Sequence, residues 1–258
     1  MIKIQDKVYL VSNLFLGDAF VINALVHKFA QECNQLHVPT LPQYVPTVSC
    51  LYADWPHIKV VPYLGAAQEQ AYVKEHDLQQ INFRTLFEVT QLPLKHHDQP
   101  VHVPVNWDRQ IYEYFDVPFS RRYKDFQLPK HIPGSKELLH KLNPEAAPYV
   151  VWHRHSHQNL GPYDIDLAAW RQHVGAPDRK IIEVEIGHSA NLLAWWDVLR
   201  NAEEIHVVPS AVHCLVDSVW DQMPTSLWYH DVKAATLMQV NSRWNAWRWN
   251  TVYYDHKI

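Results

Sequence analysis

Cysteine is scarce in this chain. Cys33, Cys50 and Cys214 are its only three in 258 residues, too few and too scattered for a disulfide framework or a structural zinc site. They read as buried thiols of a reduced compartment. Long apolar runs are also missing. No stretch approaches the roughly 18 residues that read as a membrane-crossing helix, so no membrane partner is expected. The first residues carry no charged-then-apolar leader and no small-residue cleavage site, which points to the cytoplasm. Charge of one sign is lacking too. The formal net charge is −4 with 18 histidines counted as neutral. That excludes a surface coated for non-specific nucleic-acid binding, though not a local basic groove. Disorder is excluded because 47% of the residues are hydrophobic and only 19% charged, enough for a sizeable core.

What is present is an alternation of strands and helices, in two halves. In the first, apolar strands are expected at 7–12, 36–38, 58–62 and 80–83, with helices starting at Asp18 and covering 46–52 and 66–76. In the helix from Asp18, Phe20, Val21, Ala24, Leu25 and Phe29 form one apolar face. Prolines then crowd the chain as far as Pro133, around one helix at 106–115 and a basic cluster of Arg121, Arg122 and Lys124. This stretch reads as a bridge. The alternation restarts with helices at 135–142 and 191–201 and strands at 149–154, 180–185, 205–208 and 227–229. Such alternation predicts parallel sheets covered on both faces. The expected fold is α/β, with two Rossmann-like domains, 1–120 and 121–258, facing a central cleft.

The stretch 203–220 carries the sharpest chemistry. A short β-branched run, Ile205 to Val208, is stopped by Pro209, and Ser210 stands where a helix N-cap belongs. The start of such a helix offers free N–H groups and a partial positive charge, which favour a phosphate. Ser210 can add a hydroxyl and His213 a ring N–H. The alternative is that Ser210 only caps the helix and His213 only packs.

At this point the residues resemble a family. Leu16-Gly17-Asp18 resembles the opening of the first helix of GT-B glycosyltransferases of the heptosyltransferase-like, bacterial and viral type. Tyr112 to Phe119, followed by Arg121-Arg122, is similar to their bridge. The run from Asn201 to Ser210, continuing to His213 and Asp217, resembles their donor-phosphate element. The resemblance implies a metal-independent transfer of sugar from a nucleotide-sugar, a UDP-sugar by expectation, to an acceptor hydroxyl. It implies no further cofactor. Asp18 becomes the base that deprotonates the acceptor, unless it is a helix cap. His153, Arg154, Ser189, Ser210 and His213 become donor-binding, with the leaving diphosphate stabilised by the cations and the helix end. Arg121, Arg122 and Trp247 fall on the acceptor side. The acceptor is a glycan, a small molecule, or a hydroxymethylated base in phage DNA. A nucleotide-sugar epimerase on the same fold and a non-catalytic binder of glycan or nucleic acid are the other readings.

Three further patterns compete with these. His153, His155 and His157 alternate as metal ligands can. Asp164-Ile165-Asp166 matches a short acidic motif of metal-dependent transferases, although Asp166 also suits a helix cap. Arg243, Trp244, Trp247, Arg248 and Trp249 can stack a base or a sugar, or can form an aromatic tail that seals the domains together.

Overall fold

The computed structural model describes residues 3–11, 15–83, 107–155, 165–176, 178–223, 226–231 and 248–253. It divides into two compact units, Met1–Lys130 and His131–Ile258. The sequence division after residue 120 rests on the change of pattern there. The basic cluster and the segment that follows it belong to the first unit.

The first unit runs β1 (Lys7–Val11), α1 (Leu16–Val21), α2 (Asn23–Glu32), β2 (Gln35–Thr40), α3 (Val45–Leu51), β3 (Ile58–Pro62), α4 (Ala66–Glu75), β4 (Gln79–Asn82), α5 (Trp107–Tyr114) and α6 (Arg121–Lys124). The strands form one parallel sheet in the order β3-β2-β1-β4. Val8 to Val11 are buried without alternation, as a central strand covered on both faces requires. The helix expected from Asp18 starts two residues earlier and turns at Ile22, where α1 gives way to α2. At that turn the Val21 carbonyl accepts a hydrogen bond from the Tyr112 hydroxyl at 2.9 Å, which ties α5 to the helix pair. The expected apolar face of Phe20, Val21, Ala24, Leu25 and Phe29 is buried throughout.

The second unit runs α7 (Ser135–Leu142), β5 (Tyr149–His153), α8 (Leu167–His173), β6 (Lys180–Glu183), α9 (Trp196–Arg200), β7 (Glu204–Val207), α10 (Ala211–Ser218), β8 (Ser226–Asp231) and β9 (Asn250–Tyr253). Its sheet is also parallel, ordered β6-β5-β7-β8-β9. Asp166 caps α8 by accepting from the Ala169 N–H at 2.9 Å. The helix expected at 191–201 comes in two pieces, a 3-10 turn at Leu192–Trp195 and then α9. Arg243, Trp244 and Trp247 of the tail lie outside the described residues, and the described part supplies β9. Trp249 is buried in this unit and donates its indole N–H to Asp217 at 3.2 Å.

A polar chain crosses one face of the second sheet. Arg171 pairs with Glu204. Glu204 lies 2.9 Å from His206 Nε2, and His206 Nδ1 lies 2.9 Å from His230 Nε2. Burial depresses both imidazoles to about 3, so both are neutral. The carboxylate can only accept, which fixes the proton of His206 on Nε2 and makes its Nδ1 the acceptor for His230 Nε2–H. Trp170 and Trp228 flank the pair, with Trp228 stacked on His206.

In each sheet the chain winds outward in both directions from one strand, β1 in the first and β5 in the second. Open parallel sheets bind ligands outside the carboxyl ends of their strands, at these switch points.

Candidate functional site

Asp18 lies in the first turn of α1, beyond the carboxyl end of β1 and thus at the switch point of the first sheet. It occupies the third position of the helix, not the cap. Phe15 is the cap residue and gives no side-chain cap bond. The Asp18 carboxylate instead receives the Phe15 backbone N–H, half of a capping box. That bond and the helix end favour the charged form. Burial opposes them and wins, pushing the carboxyl up from 3.8 to about 7. The residue as a whole is half-buried. A carboxylate that releases its proton near neutrality is matched to general-base work. The ring of Phe15, 43% exposed, stands at the same helix mouth.

In the second unit the ends of β5 and β7 meet at the switch point, where the Val208 N–H donates to the His153 carbonyl at 3.1 Å. This brings His153, Arg154, Pro209 and Ser210 to one edge. His153 is buried beside the Val184 carbonyl, 3.3 Å from Nδ1, and burial depresses it to about 4. A neutral imidazole that donates its Nδ1–H to this carbonyl keeps only an acceptor nitrogen, so it brings a phosphate neither a donor nor positive charge. Arg154 Nε donates to Glu183 Oε1 at 2.6 Å, and His155 Nε2 lies 3.6 Å from the same oxygen. Glu183 is therefore a member of the site that the sequence reading missed. A carboxylate closing the apolar run Lys180–Glu183 was the available signal. Ser210 caps α10, its hydroxyl oxygen accepting from the His213 N–H at 3.3 Å. The hydroxyl proton remains to be donated.

No protein-family model and no curated protein matches the chain. Solved structures do. A glycosyl transferase family 9 protein from Veillonella parvula matches with a TM-score of 0.54 and 9% identity, over 98% of this chain and 87% of its own. The dodecameric iron-containing heptosyltransferase TibC, in complex with ADP-D-beta-D-heptose, matches with a TM-score of 0.52 and 13% identity, over 100% of this chain and 65% of its own. The fold is that of the heptosyltransferase-like glycosyltransferases. A second TibC structure, from enterotoxigenic E. coli, gives a TM-score of 0.49 at 14% identity over 89% of this chain. The chain spans 59% and 65% of the two TibC chains, less than two thirds of their length.

Within this glycosyltransferase fold, the other expected residues fall in several places. His213 is turned into the core, its ring 4.8 Å from Tyr229 and 5.0 Å from Trp249. The ring N–H expected to face a phosphate instead belongs to the aromatic packing of the second unit. Ser189 sits in a local turn, its hydroxyl donating to the Asn191 carbonyl and accepting from the Asn191 N–H, both at 3.1 Å. Arg121 is exposed and pairs with Asp125 one turn on, at 3.0 Å. Arg122 is 1% exposed and ion-paired with the fully buried Asp108. A guanidinium so enclosed holds the first unit together and is not available to an acceptor. Trp247, His157 and Asp164 lie outside the described residues. The His153 and His155 rings are 5.9 Å apart, and among the described residues no three His, Cys, Asp or Glu side chains are placed to hold a metal. No helix among them is long and apolar enough to cross a membrane.

Proposed function

We propose that the protein is a glycosyltransferase that moves a sugar from a nucleotide-sugar to an acceptor hydroxyl. The observation that carries this reading is the half-buried Asp18, held near pKa 7 at the switch point of a parallel sheet. A second parallel sheet supports it, with a cationic and hydroxyl-bearing edge made by Arg154, Ser210 and the start of α10. In the reaction Asp18 takes the proton of the acceptor hydroxyl. The oxygen attacks the anomeric carbon, and the bond to the diphosphate breaks. The departing charge is met by Arg154, which exchanges Glu183 for phosphate, by the Ser210 hydroxyl, and by the N–H groups of α10. His153 stands at the same edge and holds the Val208 N–H through its backbone carbonyl. Ser189 remains a donor-side candidate. Arg121 and Trp247 remain the acceptor-side candidates. The acceptor class is a glycan or a small molecule.

Release of free nucleoside diphosphate tests the reading. ADP- and UDP-sugars, each incubated with hydroxyl acceptors, should give nucleoside diphosphate in one of the two series, and only when acceptor is present. UDP-sugars are the series expected from the sequence, whereas TibC was solved with an ADP-sugar. Isomerised nucleotide-sugar without release would identify an epimerase. Binding without any turnover would identify a carrier of the fold alone.

A further inference from the structure

Arg154 enters the proposed reaction already paired. Its Nε–H donates to Glu183 Oε1 at 2.6 Å. Strand register puts the carboxylate there. Glu183 closes β6 opposite Trp152 of β5, and the Val184 N–H donates to the Trp152 carbonyl at 2.8 Å. His155 Nε2 stands 3.6 Å from the same oxygen, too far to hold it. The pair is open to water, with side chains 36% and 24% exposed. In this it differs from Arg122 and Asp108, whose side chains are 1% and 0% exposed and which form a fixed fastening.

An ion pair so exposed is held weakly and can be exchanged. Nε–H is only one of the guanidinium donors, so the Nη groups at its end can meet a phosphate before the bond to Glu183 breaks. Exchange in that direction loads the donor. The difficulty comes after transfer. Breaking the bond to the sugar leaves the diphosphate with an added negative charge. A site made only of Arg154, the Ser210 hydroxyl and the N–H groups of α10 would hold the spent diphosphate more tightly than the donor. A carboxylate beside the arginine works against that. It competes for the guanidinium and repels the added charge.

We propose that Glu183 releases the spent diphosphate by taking Arg154 back from it. Glu183 is then a positioning residue that acts through Arg154. This role rests on the transferase reading, in which Arg154 meets the donor.

Release can be followed without turnover. Fluorescent ADP and UDP are loaded on the full chain and chased with excess unlabelled nucleotide. Glu183→Gln keeps the shape and removes the charge. The nucleotide should leave this variant roughly twofold to fivefold more slowly than the parent, the scale of a partly exposed ion pair, and should bind more tightly to match. In the transfer assay the product diphosphate should inhibit the variant more strongly by the same factor, while kcat/KM for the donor does not fall. Glu183→Ala should act in the same direction, which keeps the test open if the amide disturbs the fold. Arg154→Gln should weaken nucleotide binding, and on that background Glu183→Gln should change release little. If Glu183 only braces Arg154, Glu183→Gln will instead release nucleotide as fast as the parent or faster. That result, with Arg154→Gln still weakening binding, would overturn the role of Glu183 and leave the transferase reading standing. Nucleotide affinity untouched by Arg154→Gln would remove Arg154 from the donor edge and the role of Glu183 with it, and so would a parent chain that holds neither nucleotide.

Discussion

At the scale of the residue, Asp18 is the group on which pH acts most directly. Its folded pKa of about 7 lies above its unfolded value near 3.8. Between those limits the unfolded chain gives up the proton more readily, so this carboxyl makes the fold less stable as pH rises through the window. Asp18→Asn keeps the shape and removes that cost. The variant should equal the parent near pH 3 and exceed it at pH 8, by up to about 2 kcal/mol once the exposed part of the residue is allowed for. Transfer should fall by about 10²-fold or more, and the parent's rate should rise with pH through about 7. Urea unfolding at the two pH values and a pH–rate profile check both halves. A mutant that loses stability at pH 8 and turns over normally would make Asp18 a structural residue. Ser210 has two duties that one substitution can separate. Ser210→Ala removes the cap at a cost of about 1 kcal/mol of stability. If the hydroxyl also meets the donor, calorimetry should show nucleoside-diphosphate binding weaker by about 1–3 kcal/mol. Unchanged affinity would leave Ser210 with the cap alone.

At the scale of the element, the Asp108–Arg122 pair fastens α5 to α6. Asp108 begins the first turn of α5 and also accepts the Arg109 N–H at 2.9 Å, while the Arg122 guanidinium lies over the Phe119 and Tyr123 rings. Removing one partner leaves a bare charge in the core. Arg122→Met should therefore cost about 3–5 kcal/mol, and adding Asp108→Asn should recover most of the loss. Urea midpoints of the single and double variants check this. A cost below about 1 kcal/mol would mean that water reaches the pair. Acceptor KM in the refolded double variant should match the parent, because Arg122 does not face the acceptor. A similar argument explains why His213 left the donor set. Helical spacing put Val212, Leu215, Val216 and Val219 on one face, but α10 is buried nearly all round. In such a helix a histidine one turn in is enclosed by its neighbours and cannot face the helix mouth.

At the scale of the whole molecule, five of the buried histidines set the response to acid. His27, His37 and His153 are held to about 4 by burial, and His206 and His230 to about 3. Each has a folded pKa below its unfolded value near 6.5, so the unfolded chain takes up protons first as pH falls. Stability should drop steadily from about pH 6.5 toward pH 4, these five histidines outweighing the opposing carboxyl of Asp18. Urea titrations at pH 7 and pH 5 measure it, and equal stabilities would show that these rings are reached by water. Because the donor's charge is met by protein groups in the proposed reaction, a chelator should leave turnover largely intact. Loss of activity restored by manganese or zinc would contradict that account and return attention to the histidines after β5.

The sequence alone determined the alternation of strands and helices, the parallel sheets and the strand–turn–helix at Ser210, because these depend on local periodicity and on single punctuating residues such as Pro209. It also brought out Asp18, since one carboxylate at the mouth of an apolar helix is visible in a short window. Tertiary structure decided everything that depends on which side of an element faces inward. It enclosed Arg122 with Asp108, turned His213 against Tyr229 and Trp249, drew β9 out of the aromatic tail, and set Glu183 against Arg154 across two strands. Those pairings join residues between 14 and 36 positions apart in the chain. Their partners are chosen by strand register and core packing, which no local pattern encodes. The value near 7 for Asp18 belongs to the same class, because burial raised it against the helix end and the Phe15 N–H, and burial exists only once the unit has folded.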